Sequence, residues 1–232
     1  MIVSLARGVI LALYPGLVSS IDSVVGLVYD KGEAVLIDSG SGVPGGANAI
    51  VSALAWAGIK PGGLKWILNT HCHVHNAGNA YALKEMLGVN IAAHEPDSTY
   101  IERGDPVKTA AREAGLEFKP VPVTLHMKTM QAVFHAGDIE VTAIHTPGHT
   151  PGSTSYMVET DKRVVFAGDA LGRLSREWGS DPRQALESLD KIEELEAEVL
   201  CTSAGCMEGR ENVRSLIGEA RRDYSRTLEK WR

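Results

Sequence analysis

One pattern occurs twice along this 232-residue chain, and it narrows the available folds more than any other feature. Residues 23–38 read SVVGLVYDKGEAVLID, and residues 153–169 read STSYMVETDKRVVFAGD. Each is an apolar run, a turn holding Asp-Lys (Asp30-Lys31, Asp161-Lys162) and a second apolar run ending on an aspartate, Asp38 or Asp169. β-Branched and aromatic residues favour strands, and the polar turn favours a hairpin. The segments downstream of the two aspartates also match. After Asp38 come a glycine-rich loop, SGSGVPGG, a predicted helix over residues 47–58 and a strand, LKWILNT. After Asp169 come a loop, a predicted helix with Asp181 as N-cap and Pro182 at its first position, and a strand, EVLCT. Leu186, Leu189, Ile192 and Leu195 give that helix its apolar stripe. Each half therefore runs hairpin, aspartate, helix, strand, polar loop.

The hairpin strands are apolar on both faces, which suits sheets covered on both sides. The helices have one apolar face and belong on the outside of those sheets. The expected fold class is α/β: a four-layer αββα sandwich of two mixed β-sheets flanked by helices, built from two similar halves as a single domain over residues 1–232. The strand-end loops of the halves would meet along one edge, where a pocket between halves is expected.

Other segments fit around this frame. Asn76 or Asn79 is placed to cap a helix over residues 80–87 closed by Gly88. Asp105-Pro106 opens another helix that ends near Gly115, within an insertion over residues 94–122 that reads as a lid or an interface. Val213, Leu216, Ile217, Ala220, Tyr224, Leu228 and Trp231 lie at helical spacing and predict a long amphipathic C-terminal helix. The opening MIVSLARGVILALYPGLVSS reads as two strands. Pro15 interrupts its apolar run, which is too short for a membrane span or a convincing targeting segment. The expected location is cytoplasmic.

Charge and cysteine content remove several function classes. A formal net charge of −6 opposes a phosphate-binding face, so nucleic acid is not an expected partner. The three cysteines, Cys72, Cys201 and Cys206, do not make a secreted disulfide framework, and none pair as CxxC. There is no GxSxG elbow and no GxxxxGK[ST] loop.

The histidines point elsewhere. NTHCHVHNAG, residues 69–78, sets His71, His73 and His75 at alternate positions. In an extended segment, alternate residues share one side, so His71 and His73 can grip one cation. Much further on, a Pro-Gly turn in HTPGHTPGS aims His149 from a strand end. Three imidazoles leave a tetrahedral zinc one vacancy for water. Asp169 closes the second hairpin near them. Asp38, its counterpart, is expected to orient a ligand ring from behind. His94, His126 and His135 lack ligand spacing, and His145 is expected to end a strand.

In order and spacing, VLIDSG, THCHVHNAGN, IHTPGHTPGS, VVFAGDAL and SAGCMEG resemble the metallo-β-lactamase superfamily over nearly the whole chain. That family's αββα fold agrees with the repeat. The resemblance implies that His71, His73 and His149 are metal ligands and that Asp169 is a carboxylate able to bridge two metals. The family's second site does not carry over. Where the family has Asp then His, this chain has His75 then Asn76; where it has a final histidine, this chain has Cys206. His75 could ligate or relay a proton. Asn76 is a poor zinc ligand and could cap the next helix. Cys206 could ligate as a thiolate or be a small buried residue.

The leading expectation is a zinc-dependent hydrolase, with one or two ions, attacking a small ester, lactone or thioester. Asp169 and His75 are the candidate catalytic groups. The substrate is expected to be small, since the chain lacks room for the inserted domain of the family's nucleic-acid processors. Two alternatives stand beside it. One is an iron-dependent persulfide dioxygenase using His71, His149 and Asp169. The other is a metal-stabilised binding protein with little catalysis. Tyr14 and Trp178 are guesses for the substrate pocket. The helices around Ala110 are a candidate homodimer contact.

Overall fold

A computed structural model describes residues 2–231. The first half holds β1 (Val3–Ala6), β2 (Val9–Leu13), β3 (Val25–Asp30), β4 (Glu33–Ile37), α1 (Gly46–Trp56) and β5 (Leu64–Leu68). Next come α2 (Val74–Ala77), α3 (Ala80–Leu87), β6 (Asn90–His94), α4 (Glu95–Arg103), α5 (Ala111–Ala114) and β7 (Leu125–Met127). The second half holds β8 (Gln131–Ala136), β9 (Ile139–His145), β10 (Thr154–Glu159), β11 (Arg163–Gly168), α6 (Pro182–Glu194), β12 (Val199–Thr202), β13 (Gly205–Glu208) and α7 (Arg210–Trp231).

The strands form two mixed sheets flanked by helices, ordered β1-β2-β3-β4-β5-β6-β7 and β13-β12-β11-β10-β9-β8. The repeat is visible in the pairing. β3–β4 and β10–β11 are antiparallel hairpins. Each passes through a helix to a parallel neighbour, β4 to β5 through α1 and β11 to β12 through α6.

Alternation along single strands builds the layers. In β4, Ala34 and Leu36 enter a core shared with α1 and α3, whereas Val35 and Ile37 face the other sheet. In β11, Val164 and Phe166 meet the first sheet, and Val165 and Ala167 meet α6 and α7. Strands that read as apolar throughout therefore fill two cores each, and three cores separate four layers. Asp181 caps α6 by accepting from the backbone N–H groups of Arg183 and Gln184. α7 buries Val213, Ile217, Ala220 and Tyr224 on α6 and the second sheet. Among the described residues no helix is long and apolar enough to cross a membrane.

Three local expectations need correction. α3 closes at Gly88, but neither Asn76 nor Asn79 caps it with a side chain: Asn79 Nδ2 donates to the Ser39 carbonyl, and Asn76 turns inward. The helix expected from Asp105 to Gly115 is reduced to α5. Asp105 Oδ1 accepts from the N–H groups of Val107 and Lys108, which makes a turn there instead. The loop expected after β12 is a tight β12–β13 hairpin, in register at Thr202–Gly205 and Cys201–Cys206.

Candidate metal centre

The ends of β5, β9 and β11 converge on one edge. His71 and His73 follow β5, His149 sits in the turn between β9 and β10, and Asp169 directly follows β11. One ligand atom from each of His71, His73, His149 and Asp169 lies within 4.8 Å of the other three. His73 Nδ1 is 3.0 Å from His149 Nε2. Asp169 Oδ2 is 3.6 Å from both His71 Nε2 and His149 Nε2. Bonds of about 2.0–2.1 Å to a tetrahedral zinc would set ligand atoms about 3.3 Å apart, close to these separations. His71 Nε2 is buried without a hydrogen-bond partner, a costly arrangement for a ring nitrogen unless a cation takes it. The donor set therefore fits a divalent metal.

His71 and His149 are held from behind by hydrogen bonds, whereas His73 Nε2 is buried without a partner. Thr70 Oγ1 donates to Asp38 and sits 3.0 Å from His71 Nδ1, so that nitrogen carries the proton and Nε2 keeps its lone pair. Asp38 also accepts from the Thr70 N–H at 2.7 Å and from Asn76 Nδ2 at 2.7 Å. Asp38 holds a left-handed backbone at φ 62°, unusual for a residue with a side chain. His149 Nδ1 donates to the Arg173 carbonyl at 2.8 Å, which frees Nε2. Trp178, in a short 3-10 turn over Arg176–Trp178, packs its ring 4.5 Å from that of His73 and 5.3 Å from that of His149.

The electrostatics prepare these groups for a cation. Burial drives His149 down to about 3, with Asp169 opposing and the His71 charge adding to the fall. Burial, then the neighbouring imidazoles, hold His73 well below the usual histidine range. Both rings are neutral near pH 7. Burial opposes the charge of Asp169, but interactions with His71 and His75 overcome it and keep the carboxyl well below its usual range. Burial also lowers His71, yet contact with Asp169 outweighs it and the net shift is upward. Asp38 is raised to about 6 by burial, against the pull of His71, Thr70 and Asn76.

The other expected site residues fall outside the four. His75 Nε2 lies 3.1 Å from Asp169 Oδ2, with about a quarter of its side chain exposed, so it stands at the mouth beside the set. Asn76 Nδ2 donates to both Asp38 and Ser203 Oγ and does not face the cation position. The expectation of Cys206 as a thiolate ligand is overturned. Its sulfur is bonded to that of Cys201, directly opposite across the hairpin, so no thiolate is present. Of the pocket guesses, Trp178 lies against two of the ligand rings.

Nothing in the sequence singles out Asp97, yet it is fully buried in α4. Its Oδ2 accepts from the Cys72 N–H at 2.9 Å and from Thr150 Oγ1 at 2.7 Å, and its Oδ1 accepts from the Gly152 N–H at 2.8 Å. One carboxylate thus ties the loop of His71 and His73 to the turn of His149. A Cβ on Gly152 would sit 2.5 Å from Asp97 Oδ1, so the turn needs glycine there. No spacing in HEPDSTY signals this role; only the packing of α4 under both loops creates it.

Comparison with known proteins agrees with this geometry. The profile of the metallo-beta-lactamase superfamily matches residues 21–204. The chain belongs to that superfamily. A probable metallo-hydrolase of Methanocaldococcus jannaschii is 27% identical over 137 residues, covering 59% of this chain and 62% of that protein. A hydroxyacylglutathione hydrolase of Mesorhizobium japonicum is 30% identical over 175 residues, covering 74% and 57%. The chain thus spans about three fifths of the length of these relatives. Among solved structures, a metallo-beta-lactamase motif mutant from Cronobacter sakazakii superposes with a TM-score of 0.82 at 19% identity, covering 100% of this chain and 98% of that one. That likeness establishes the fold.

Proposed function

We propose that this superfamily member is a metal-dependent hydrolase of small esters, lactones or thioesters. The observation that carries the reading is the convergence of four ligand atoms within 4.8 Å, three of them from imidazoles. His71, His73, His149 and Asp169 would hold the ion. A bound zinc would supply Lewis acidity and an acidified water.

The chain's own residues do the rest. Hydrolysis adds OH to the acyl carbon and H to the departing oxygen or sulfur as the acyl bond breaks. A role for His75 in moving that proton is supported by its Nε2, which is hydrogen-bonded to Asp169 and partly open to solvent. Trp178 shields the backs of His73 and His149 from water. Asp38, through Thr70, and the Arg173 carbonyl fix the rings so that each keeps a lone pair inward. The relative named for hydrolysis of an acylglutathione supports including thioesters.

Elemental analysis of purified protein, paired with kinetics on an ester, lactone and thioester panel, tests the reading. Zinc content with turnover abolished by chelator and restored by zinc is expected. Full metal occupancy with no turnover on the panel would favour a binding protein. Iron with oxygen uptake on a persulfide would favour oxidative chemistry.

A further inference from the structure

Beside the centre, and reaching it through His75, which is hydrogen-bonded to Asp169, lies a cavity of about 220 Å³ lined by His75, Ala110, Glu113, Ala114, Arg173 and Trp178. A second cavity, of about 410 Å³, shares three of those walls: Glu113, Arg173 and Trp178. Arg173 and Glu113 form an ion pair, so this pair stands at the boundary between the two spaces.

Three observations separate the Arg173 side chain from a purely structural role. First, its support of His149 runs through the main-chain carbonyl, which leaves the guanidinium uncommitted to the metal set. Second, the guanidinium lies 4.5 Å from the centre of the Trp178 ring. A guanidinium held over an indole ring in this way is restrained in position, while its N–H groups can still bind a carboxylate in two-point fashion. Third, the present partner is weakly held: both side chains of the pair are more than half exposed, and exposed ion pairs contribute little. An incoming carboxylate can replace that of Glu113. The inner walls, Ala110 and Ala114, are small and apolar and suit a short methylene chain.

We propose that Arg173 reads a carboxylate on the substrate, displacing Glu113, and that the enzyme's substrates are short acyl esters or thioesters carrying such a group. This rests on the hydrolase reading above and narrows its substrate class. A substrate held at Arg173 has its acyl portion in the inner cavity beside His75, with the outer cavity left for the remainder.

Zinc-loaded protein is assayed with mono(4-nitrophenyl) succinate and with its neutral methyl-capped twin. The ratio of the two kcat/KM values cancels general damage to the site. Wild type is expected to favour the carboxylate ester, and Arg173→Gln to shrink that ratio by about 10- to 100-fold, the usual weight of a charge-assisted hydrogen-bonded pair. Glu113→Gln removes the competitor and raises the ratio by about 2- to 5-fold; a merely structural pair would lower both esters together. Calorimetry with monomethyl succinate runs in parallel. Hydrolysis of both esters with no dependence of the ratio on residues 113 and 173 overturns the inference and leaves the hydrolase reading standing. Absence of hydrolysis with Arg173-dependent binding defeats the hydrolase reading and keeps the carboxylate site; Arg173-independent or absent binding defeats the site. If Arg173→Gln fails to fold, the sign of the Glu113→Gln effect decides.

Discussion

Two neighbouring regions at the same sheet edge use their polar atoms in opposite ways. Around the candidate ligands, the bonds that support His71, His149 and the two loops point outward from the cluster: Thr70 behind His71, the Arg173 carbonyl behind His149, Asp97 beneath both loops. The inward atoms are left for something else. Around residues 203–206 the polar atoms satisfy one another. Asn76 binds Asp38 and Ser203, and Cys206 is closed onto Cys201. Proximity to the candidate centre therefore does not make a residue a candidate ligand; the direction of the supporting bonds separates the two groups. The same contrast predicts a single cation per chain, a count that metal titration checks.

The contrast fails most visibly if His73 is dispensable. His73→Ala removes an inward nitrogen, and bound metal should fall to a small fraction of wild type while kcat/KM drops by at least ~10²-fold. Elemental analysis and the panel assays check both. Next in size is Asp97→Asn. The amide keeps the volume but turns one acceptor into a donor facing donors already bound there, so the two ligand loops lose their shared anchor. Metal affinity should weaken about 10- to 100-fold with the fold retained, read by chelator competition and circular dichroism. Unchanged affinity would mean the loops are held without Asp97.

A smaller effect tests the ground next to the centre. His94 stacks on His145 with ring centres 3.7 Å apart, and burial, helped by the His145 charge, lowers it from 6.5 to about 4. The folded state thus takes up this proton later than the unfolded state as pH falls. The associated stability is intact above pH 6.5 and lost between 6.5 and 4, up to about 2–3 kcal/mol. His94→Phe keeps a ring on His145 without the proton. Denaturant unfolding at steps from pH 7.5 to 4.5 should show a shallower loss than wild type. The smallest effect is Cys206→Ser. It should leave metal content unchanged, because the Cys206 sulfur is already committed to Cys201.

The fold was legible because the chain states it twice. Ala34 to Ile37 and Val164 to Ala167 are apolar at every position, as a strand between two covered faces requires, and the polar turns beside them favour hairpins. The four candidate ligands were legible because each sits where a strand ends in a turn: HxH after β5, PGH after β9, GD after β11. Cys206 misleads because its fate depends on register. A two-residue turn at Ser203–Ala204 brings it opposite Cys201, and neither cysteine's spacing from the histidines reports that. Asp97 is silent for a related reason: its three donors come from residues 72, 150 and 152, which lie 25, 53 and 55 positions away along the chain. Asn76 has the look of a cap because asparagine before a helix usually is one, and the pull of the buried Asp38 carboxyl overrides that preference.

The most direct test is the number of metal ions per chain, with the element identified by plasma mass spectrometry on protein purified without chelator and titrated with zinc. One tightly held ion per chain is the predicted result. Two ions of comparable affinity, or none that survives gel filtration, would contradict it.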